Sequence, residues 1–453
     1  MLLALLACAG PPEGARSIVW ISLDTVRADR LAVYGGPAAT PTLAKLAGES
    51  LVFEQAYSHF PETGLSHWSM LTGVLPEVHG NVPEKGDSAY TGPTAAEIAK
   101  ANGYATAAFV GGVTLKSQST GLQRGFDRYD DSFQFDPRDM KRDGDEVTRL
   151  AAAWIAEQEA PYLAFVHYFD AHFPYTPDRA DDPGYGGTLD GSDAALRPYR
   201  DGKAIDPRDL EHVKKLYDAE LTELDATLAP LLATLKGDEV VVVTADHGES
   251  FEHGYLFNHR GSLADGNLHV PLVVRVPGVA PARRAEQVGL IDLLPTVLEA
   301  AGLESDAPFQ GKSVLAGGGR DVVWSRTDPW MAGRCYIDPG PLLAMRTPTR
   351  KVVWTGDGGA RAFDLAADPG ETTAIHAEET HADYDALVAA MKAHTRALTP
   401  RGPPPPGQME QLEALGYVQP GPPGPPPQGP PPGPGEAPIG PPGPPPQGGG
   451  GAP

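Results

Sequence analysis

The sequence predicts an α/β fold, a mostly parallel sheet with helices on both faces. Continuous apolar, β-branched runs, of the kind found in strands buried on both faces, recur between residues 17 and 245. Segments with helical apolar spacing stand between them, so strands and helices alternate. Three of the strands also end in polar residues that bind ligands well. In such folds ligands sit beyond the carboxyl ends of the strands.

Taken in order, "SIVWISL" (17–23) is the first strand, and Asp24 follows it. "TAAEIAKANG" reads as a helix stopped by Gly103, and "YATAAFV" as the next strand. "DEVTRLAAAWIAEQEA" is a helix, and the strand "YLAFVHYF" (162–169) leads into Asp170 and His172. "PRDLEHVKKLYDAELTELDATLAPLLATLKG" is a long amphipathic helix with Pro207 at its start and Gly237 at its end. "EVVVVTA" (239–245) is the most apolar strand and runs into Asp246 and His247. Asp is a common turn former and helix cap, which is the plain alternative for Asp24. "TADHGES" (244–250) is harder to explain that way. It sets a carboxylate beside an imidazole, with a glycine that permits a sharp turn. With Asp24, these side chains can meet on one divalent cation. The imidazole tilts the choice toward Mn or Zn over an all-oxygen Ca site, with Mg also open.

Composition narrows the partners. The formal charge of −23 argues against a nucleic-acid surface, which needs clustered Lys and Arg. A small anionic ligand remains possible if a metal reverses the sign in one pocket. Two cysteines, Cys8 and Cys335, make no disulfide framework. "MLLALLACAG" resembles a bacterial lipoprotein signal in which Cys8 becomes lipidated, though it lacks the basic n-region and is too short to span a bilayer. The expectation is an envelope protein, lipid-anchored or periplasmic. The plain alternative is an apolar terminus on a cytoplasmic protein. Residues 419–453 are rich in Pro and Gly without the collagen period and read as a disordered, partly polyproline II tail.

These fragments and others resemble the sulfatase family of the alkaline phosphatase superfamily. "LDTVRADRLAVYG" (23–35), "TGLSHWSMLTG" (63–73), "TADHGES" and "HVPLVVRVPG" (269–278) carry the resemblance. So do "IDLLPTVLEAAGL" (291–303), "AMRTPTRKVVW" (344–354), "FDLAADPGET" (363–372) and "LEALGY" (412–417), all in the family's order. The resemblance implies an alkaline-phosphatase-like α/β domain over 17–320 and a subdomain with a small antiparallel sheet over 321–418. Residues 1–16 and 419–453 then flank them. It also implies one divalent cation on Asp24, Asp246 and His247, beside a nucleophile at a helix N-terminus.

Sulfatases carry Cys or Ser in a C/S-x-P-x-R motif before "LTG", and the residue is oxidised to formylglycine. Here Thr63 stands at that position, with Leu65 for the Pro and His67 for the Arg. A threonine cannot become formylglycine, because its β-carbon carries a methyl. Superfamily relatives such as phosphoglycerol transferases and nucleotide phosphodiesterases use an unmodified Thr there, and the resemblance implies that Thr63 both attacks and binds the metal. The plain alternative is that Thr63 only caps a helix beginning near Leu65. Ser66 falls on another face of that helix. The family's Gly-Lys-Trp-His sulfate clamp is replaced around Gly112, and Lys116 is too far along to restore it.

By the same resemblance, His172 contacts the transferred group or protonates the leaving oxygen, and His259 lies near the leaving group. Arg27 and Asn81 are candidate substrate contacts, though Arg27 suits organising its loop by pairing with carboxylates better than touching substrate. Three functions compete. The first is a phosphate-type esterase or transferase using Thr63. The second is a sulfate ester hydrolase without formylglycine. The third is a non-catalytic lipoprotein that uses the fold for binding.

Overall fold

The computed structural model describes residues 11–375 apart from 81–89, 134–140, 160, 180–181, 253, 328–341 and 355–359. Cys8, Asn81, Cys335 and the 419–453 tail lie outside the described residues. The main sheet comprises β1 (Ile18–Leu23), β2 (Leu51–Tyr57), β3 (Ala105–Val110), β4 (Arg128–Asp130), β5 (Tyr162–Tyr168), β6 (Val240–Thr244), β7 (His269–Arg275) and β8 (Ala282–Gly289). Their order across the sheet is β4-β3-β5-β1-β6-β7-β2-β8.

The three most apolar runs became the three central strands, and every residue of β1, β5 and β6 is buried. Strands covered on both faces must be apolar throughout, which is why these were the easiest to read. Ser22 of β1 pairs with His167 of β5 on one side and Thr244 of β6 on the other. The chain therefore leaves all three strands at one level, and the residues after each become neighbours.

β7 runs antiparallel to both β6 and β2. The two reversals cancel, so β2 runs in the same direction as β1. The chain after β2 therefore emerges at the same edge, where the Thr63–Thr72 helix begins. The 27-residue helix Pro207–Ala233 covers one face, with Pro207 at its first position and the Asp206 side chain accepting the Arg208 N–H. Its buried stripe includes Val213, Leu216, Tyr217, Leu221, Leu224, Leu228 and Leu231, the three-and-four spacing of one helix face. Each such Leu contributes about 1.5–3 kcal/mol by leaving water.

A second, antiparallel sheet follows in the order β12-β11-β10-β9. Its strands are β9 (Val323–Arg326), β10 (Leu343–Arg346), β11 (Arg350–Trp354) and β12 (Ala360–Asp364). It packs on the main body through Tyr57, Leu263, Leu268, Val323, Leu342 and Ala344. The fully buried Lys351 ammonium is held between Asp265 at 2.7 Å and Glu371 at 2.5 Å. No described helix is long and apolar enough to cross a membrane.

Candidate active site

Asp24 and Asp246 leave the adjacent strands β1 and β6, and His247 follows Asp246. All three are buried, and one ligand atom from each lies within 4.8 Å of the others. Each residue commits one polar atom to the protein and leaves another without a hydrogen-bond partner. Asp246 Oδ1 accepts the backbone N–H groups of His247 at 2.8 Å and Thr25 at 3.3 Å, while Oδ2 has no partner. Asp24 Oδ2 accepts from the Thr63 hydroxyl and from His167 Nε2, each at 3.2 Å, while Oδ1 has no partner. His247 Nδ1 donates to the Gly248 carbonyl at 3.0 Å, which fixes the tautomer and leaves a lone pair on the unpartnered Nε2. That Nε2 lies 3.3 Å from Asp246 Oδ2.

Three buried, unpartnered acceptors converging on one point are costly unless something positive sits among them. Two carboxylate oxygens and a neutral imidazole suit a borderline divalent cation such as Mn or Zn, and exclude no hard one. Without it, burial first and neighbouring carboxylates second push both aspartates well above the usual range. Burial likewise holds His247 neutral, well below its usual pKa. The donor set therefore fits the metal that the sequence motifs imply.

Thr63 is the first residue of its helix, one residue past the cap. The plain alternative, in which Thr63 only caps a helix beginning near Leu65, does not hold. Glu62 caps the helix, its carboxylate accepting the N–H groups of Gly64 at 3.2 Å and Leu65 at 3.0 Å. Arg260 Nη2 in turn lies 3.4 Å from Glu62 Oε1. The Thr63 hydroxyl is thereby released from capping and points to Asp24. Ser66 is buried on another face, its hydroxyl donating to the Asp246 carbonyl at 2.7 Å. His67 is held at both ends, Nδ1 donating to the Thr63 carbonyl at 2.7 Å and Nε2 accepting from Ser22 Oγ at 2.8 Å.

His172 and His259 reach the same edge. The His259 ring stacks on His247 with centroids 4.2 Å apart and meets His172 edge-on at 5.4 Å. His172 Nδ1 donates to the Phe173 carbonyl at 2.8 Å, so its unpartnered Nε2 carries a lone pair. Burial holds His172 and His259 well below the usual imidazole pKa. The Phe169 ring stacks on His172 at 4.2 Å and fills the space beside Gly112, where an added β-carbon would lie 2.3 Å from the ring. That packing explains why no side chain stands at the expected clamp position. Lys116 turns elsewhere, its ammonium donating to the Phe133 carbonyl at 2.6 Å.

Arg27 pairs with loop carboxylates, the role its position favours, and offers no substrate contact. Its guanidinium forms a fork on Asp29 at 2.9 and 2.8 Å, and Nη1 is taken by Glu252 at 2.8 Å and the Glu249 carbonyl at 3.1 Å. These contacts brace the loop after β6 against the loop after β1. Asn81 lies outside the described residues. Four site residues escaped the sequence reading: Glu62, His167, Glu249 and Arg260. His167 was the most visible of them, a lone polar side chain in a strand otherwise apolar and aromatic. Glu249 stood inside "TADHGES" but had no spacing argument attached to it.

The Sulfatase family profile matches residues 16–303. Arylsulfatase K of Bos taurus is 27% identical over 189 residues, 38% of this chain and 34% of that protein. Choline-sulfatase of Rhizobium meliloti (strain 1021) is 30% identical over 169 residues, 35% of this chain and 32% of that protein. The chain thus matches about a third of the length of these curated relatives. The phosphonate monoester hydrolase of Agrobacterium radiobacter superposes with a TM-score of 0.67 at 20% identity, covering 84% of this chain and 95% of the other. A protein solved in complex with its substrate D-glucosamine-2-N,6-O-disulfate gives 0.69 at 18%, covering 84% and 97%. With a profile matched from the first strand through the helix after β8, this chain belongs to the sulfatase family.

Proposed function

We propose that this protein cleaves or transfers an anionic ester, phosphate-type in the first instance, with unmodified Thr63 as the nucleophile and one divalent cation held by Asp24, Asp246 and His247. The observation that carries the reading is the position of Thr63. Its hydroxyl stands at a helix N-terminus, released from capping by Glu62, 3.2 Å from a carboxylate of the cation cradle.

Bound in that cradle, a divalent cation supplies the positive charge that favours an ionised threonine oxygen and an anionic ester. The residues do the rest. Asp24 Oδ2 receives the Thr63 proton along the existing hydrogen bond, and His167 Nε2 holds that oxygen in place. Thr63 Oγ1 forms a bond to phosphorus as the bond to the departing oxygen breaks. The N–H groups of Gly64, Leu65 and Ser66 are already held by Glu62, so the helix lends the charge that develops its dipole rather than free donors. His172 Nε2 is set to receive a proton, from the water or alcohol that resolves the threonine ester. Once loaded, it can return a proton to a departing oxygen. His259 stands between His172 and His247, on the leaving-group side.

A second reading, a sulfate ester hydrolase with the same nucleophile, is favoured by the curated relatives, which are sulfatases. One experiment addresses both. The Mn- or Zn-loaded protein is given p-nitrophenyl phosphate mono- and diesters, phenylphosphonate and sulfate, then quenched in acid for peptide mass spectrometry. Phosphate, phosphonate or sulfate on the Thr63 peptide is expected, lost in Thr63→Ala and kept in Thr63→Ser. An active Thr63→Ala with an inactive Ser66→Ala would overturn the assignment. Ligand binding without turnover would favour the non-catalytic reading.

A further inference from the structure

Behind His259 lies a buried carboxylate that the proposed reaction leaves unassigned. Glu249 is wholly inaccessible. Its Oε1 accepts the Ser250 N–H at 3.0 Å, and its Oε2 has no hydrogen-bond partner. Outside the cation cradle and Asp170, each of which also leaves one carboxylate oxygen unpartnered, buried carboxylates such as Asp292 are satisfied at both oxygens. Asp292 accepts from the N–H groups of Gly289 and Lys312 and from Arg320. An unsatisfied buried carboxylate is expensive, and glutamine would be the cheaper residue if the role were packing alone.

The complementary atom stands next to it. His259 Nδ1 is buried, has no hydrogen-bond partner, and lies 3.8 Å from Glu249 Oε1. The ring is stacked on His247 at 4.2 Å and bounded edge-on by His172, which limits it to small movements in its own plane. A slide of about 0.8 Å brings Nδ1 into hydrogen-bond range, and such bonds often tighten when a site is loaded. His172, Tyr175 and Arg200 are further polar side chains around this carboxylate.

We propose that Glu249 is a positioning residue for His259: it accepts a hydrogen bond from Nδ1–H and so fixes the tautomer whose lone pair is on Nε2. The inference rests on the reading that His259 works beside the leaving group. A carboxylate that holds an imidazole in one tautomer is a general device. Losing it costs rate by presenting the wrong ring nitrogen, while binding is left largely intact.

The test uses the full chain loaded with Mg and labelled with ¹⁵N-histidine. Long-range ¹H–¹⁵N spectra report which ring nitrogen of His259 is protonated, with the signal assigned by its loss in His259→Gln. The wild type should show Nδ1–H, and Glu249→Gln should move the proton to Nε2 or to a mixture. With p-nitrophenyl phenylphosphonate and p-nitrophenyl sulfate, Glu249→Gln and Glu249→Ala should lower kcat roughly 10- to 1,000-fold with KM little changed. Glu249→Asp should lie between, and the Glu249→Gln/His259→Gln pair should be no slower than His259→Gln alone. An Nε2–H tautomer in the wild type would overturn the proposal even if every variant fails to fold. So would an unchanged tautomer in Glu249→Gln, or a Tyr175→Phe variant that reproduces its effect. Full activity of His259→Gln would remove the leaving-group reading of His259, while the tautomer spectrum still decides the role of Glu249.

Discussion

Glu220→Gln should flatten the pH dependence of stability. Glu220 lies on the buried face of the Pro207–Ala233 helix, and its Oε1 accepts the Thr176 N–H at 2.7 Å. It thereby ties down the far end of the segment that begins at Asp170 and carries His172. Burial pushes its carboxyl from 4.5 up to about 7, with Asp170 and Glu223 adding to the rise, while Lys141 and the Thr176 N–H oppose it. The folded chain therefore binds this proton more tightly than the unfolded chain. The contribution is complete below pH 4.5 and falls away as the pH rises through about 7. Over that window the wild type loses about 3 kcal/mol from this group. Glutamine keeps the carbonyl that Thr176 needs and has nothing to ionise. Asp170, raised by burial from 3.8 to about 6, adds an earlier fall that both proteins share. Chemical unfolding at pH 4.5, 6 and 8 should show the variant gaining on the wild type by about 3 kcal/mol across the range. Curves that stay parallel from pH 4.5 to 8 would refute the assignment of a buried, proton-holding Glu220.

Other perturbations have equally definite outcomes. A divalent cation at 100 times its Kd should stabilise the fold by about 2.7 kcal/mol, read as a rise in melting temperature that Asp246→Asn abolishes. Glu62→Ala should cost about 1 kcal/mol in unfolding free energy through loss of the helix cap. It should also slow turnover, because Thr63 is then the nearest side chain able to cap. Lys351→Met should cost about 3–5 kcal/mol by leaving Asp265 and Glu371 buried against each other, and limited proteolysis should then release the small sheet first.

How much of this was legible in the sequence follows from what each feature depends on. The central strands were readable because burial on both faces demands unbroken apolar runs, and "SIVWISL", "YLAFVHYF" and "EVVVVTA" have no other use. β2, β4, β7 and β8 were not read as strands; β4 is three residues long, and β8, "ARRAEQVG", is mostly exposed along its first half. Such strands are defined by their neighbours, which one sequence does not display. Asp24, Asp246 and His247 were legible because they follow readable strands. Glu62 was not legible as the cap for a physical reason: Thr and Glu both accept helix N–H groups, and only geometry shows which does. Arg27 was legible as a loop organiser, because an arginine near a strand end suits an anion or a carboxylate loop and Asp29 is two residues away. Glu249 and His167 act through other side chains, and that kind of role leaves no spacing signature.

The electrostatics of the site ties these parts together. Asp24 lies within the field of three further carboxylates, Glu62, Asp246 and Glu249. An anionic ester could not approach four such groups unless each were answered. Glu62 is answered by Arg260 and by the helix N–H groups it caps. Asp24 and Asp246 have one free oxygen each, turned to one point with a neutral imidazole, and a divalent cation there cancels both charges. Glu249 is the remaining carboxylate, and the Nδ1–H of His259 is the donor placed to meet it. On this count a chain of net charge −23 presents an anionic substrate with one positive point and the Thr63 hydroxyl beside it. The cation and the tautomer of His259 are then two halves of one requirement. If Glu249 proves unpaired in the metal-loaded protein, its charge is left without a donor facing the anion, and the anionic-ester reading weakens with it.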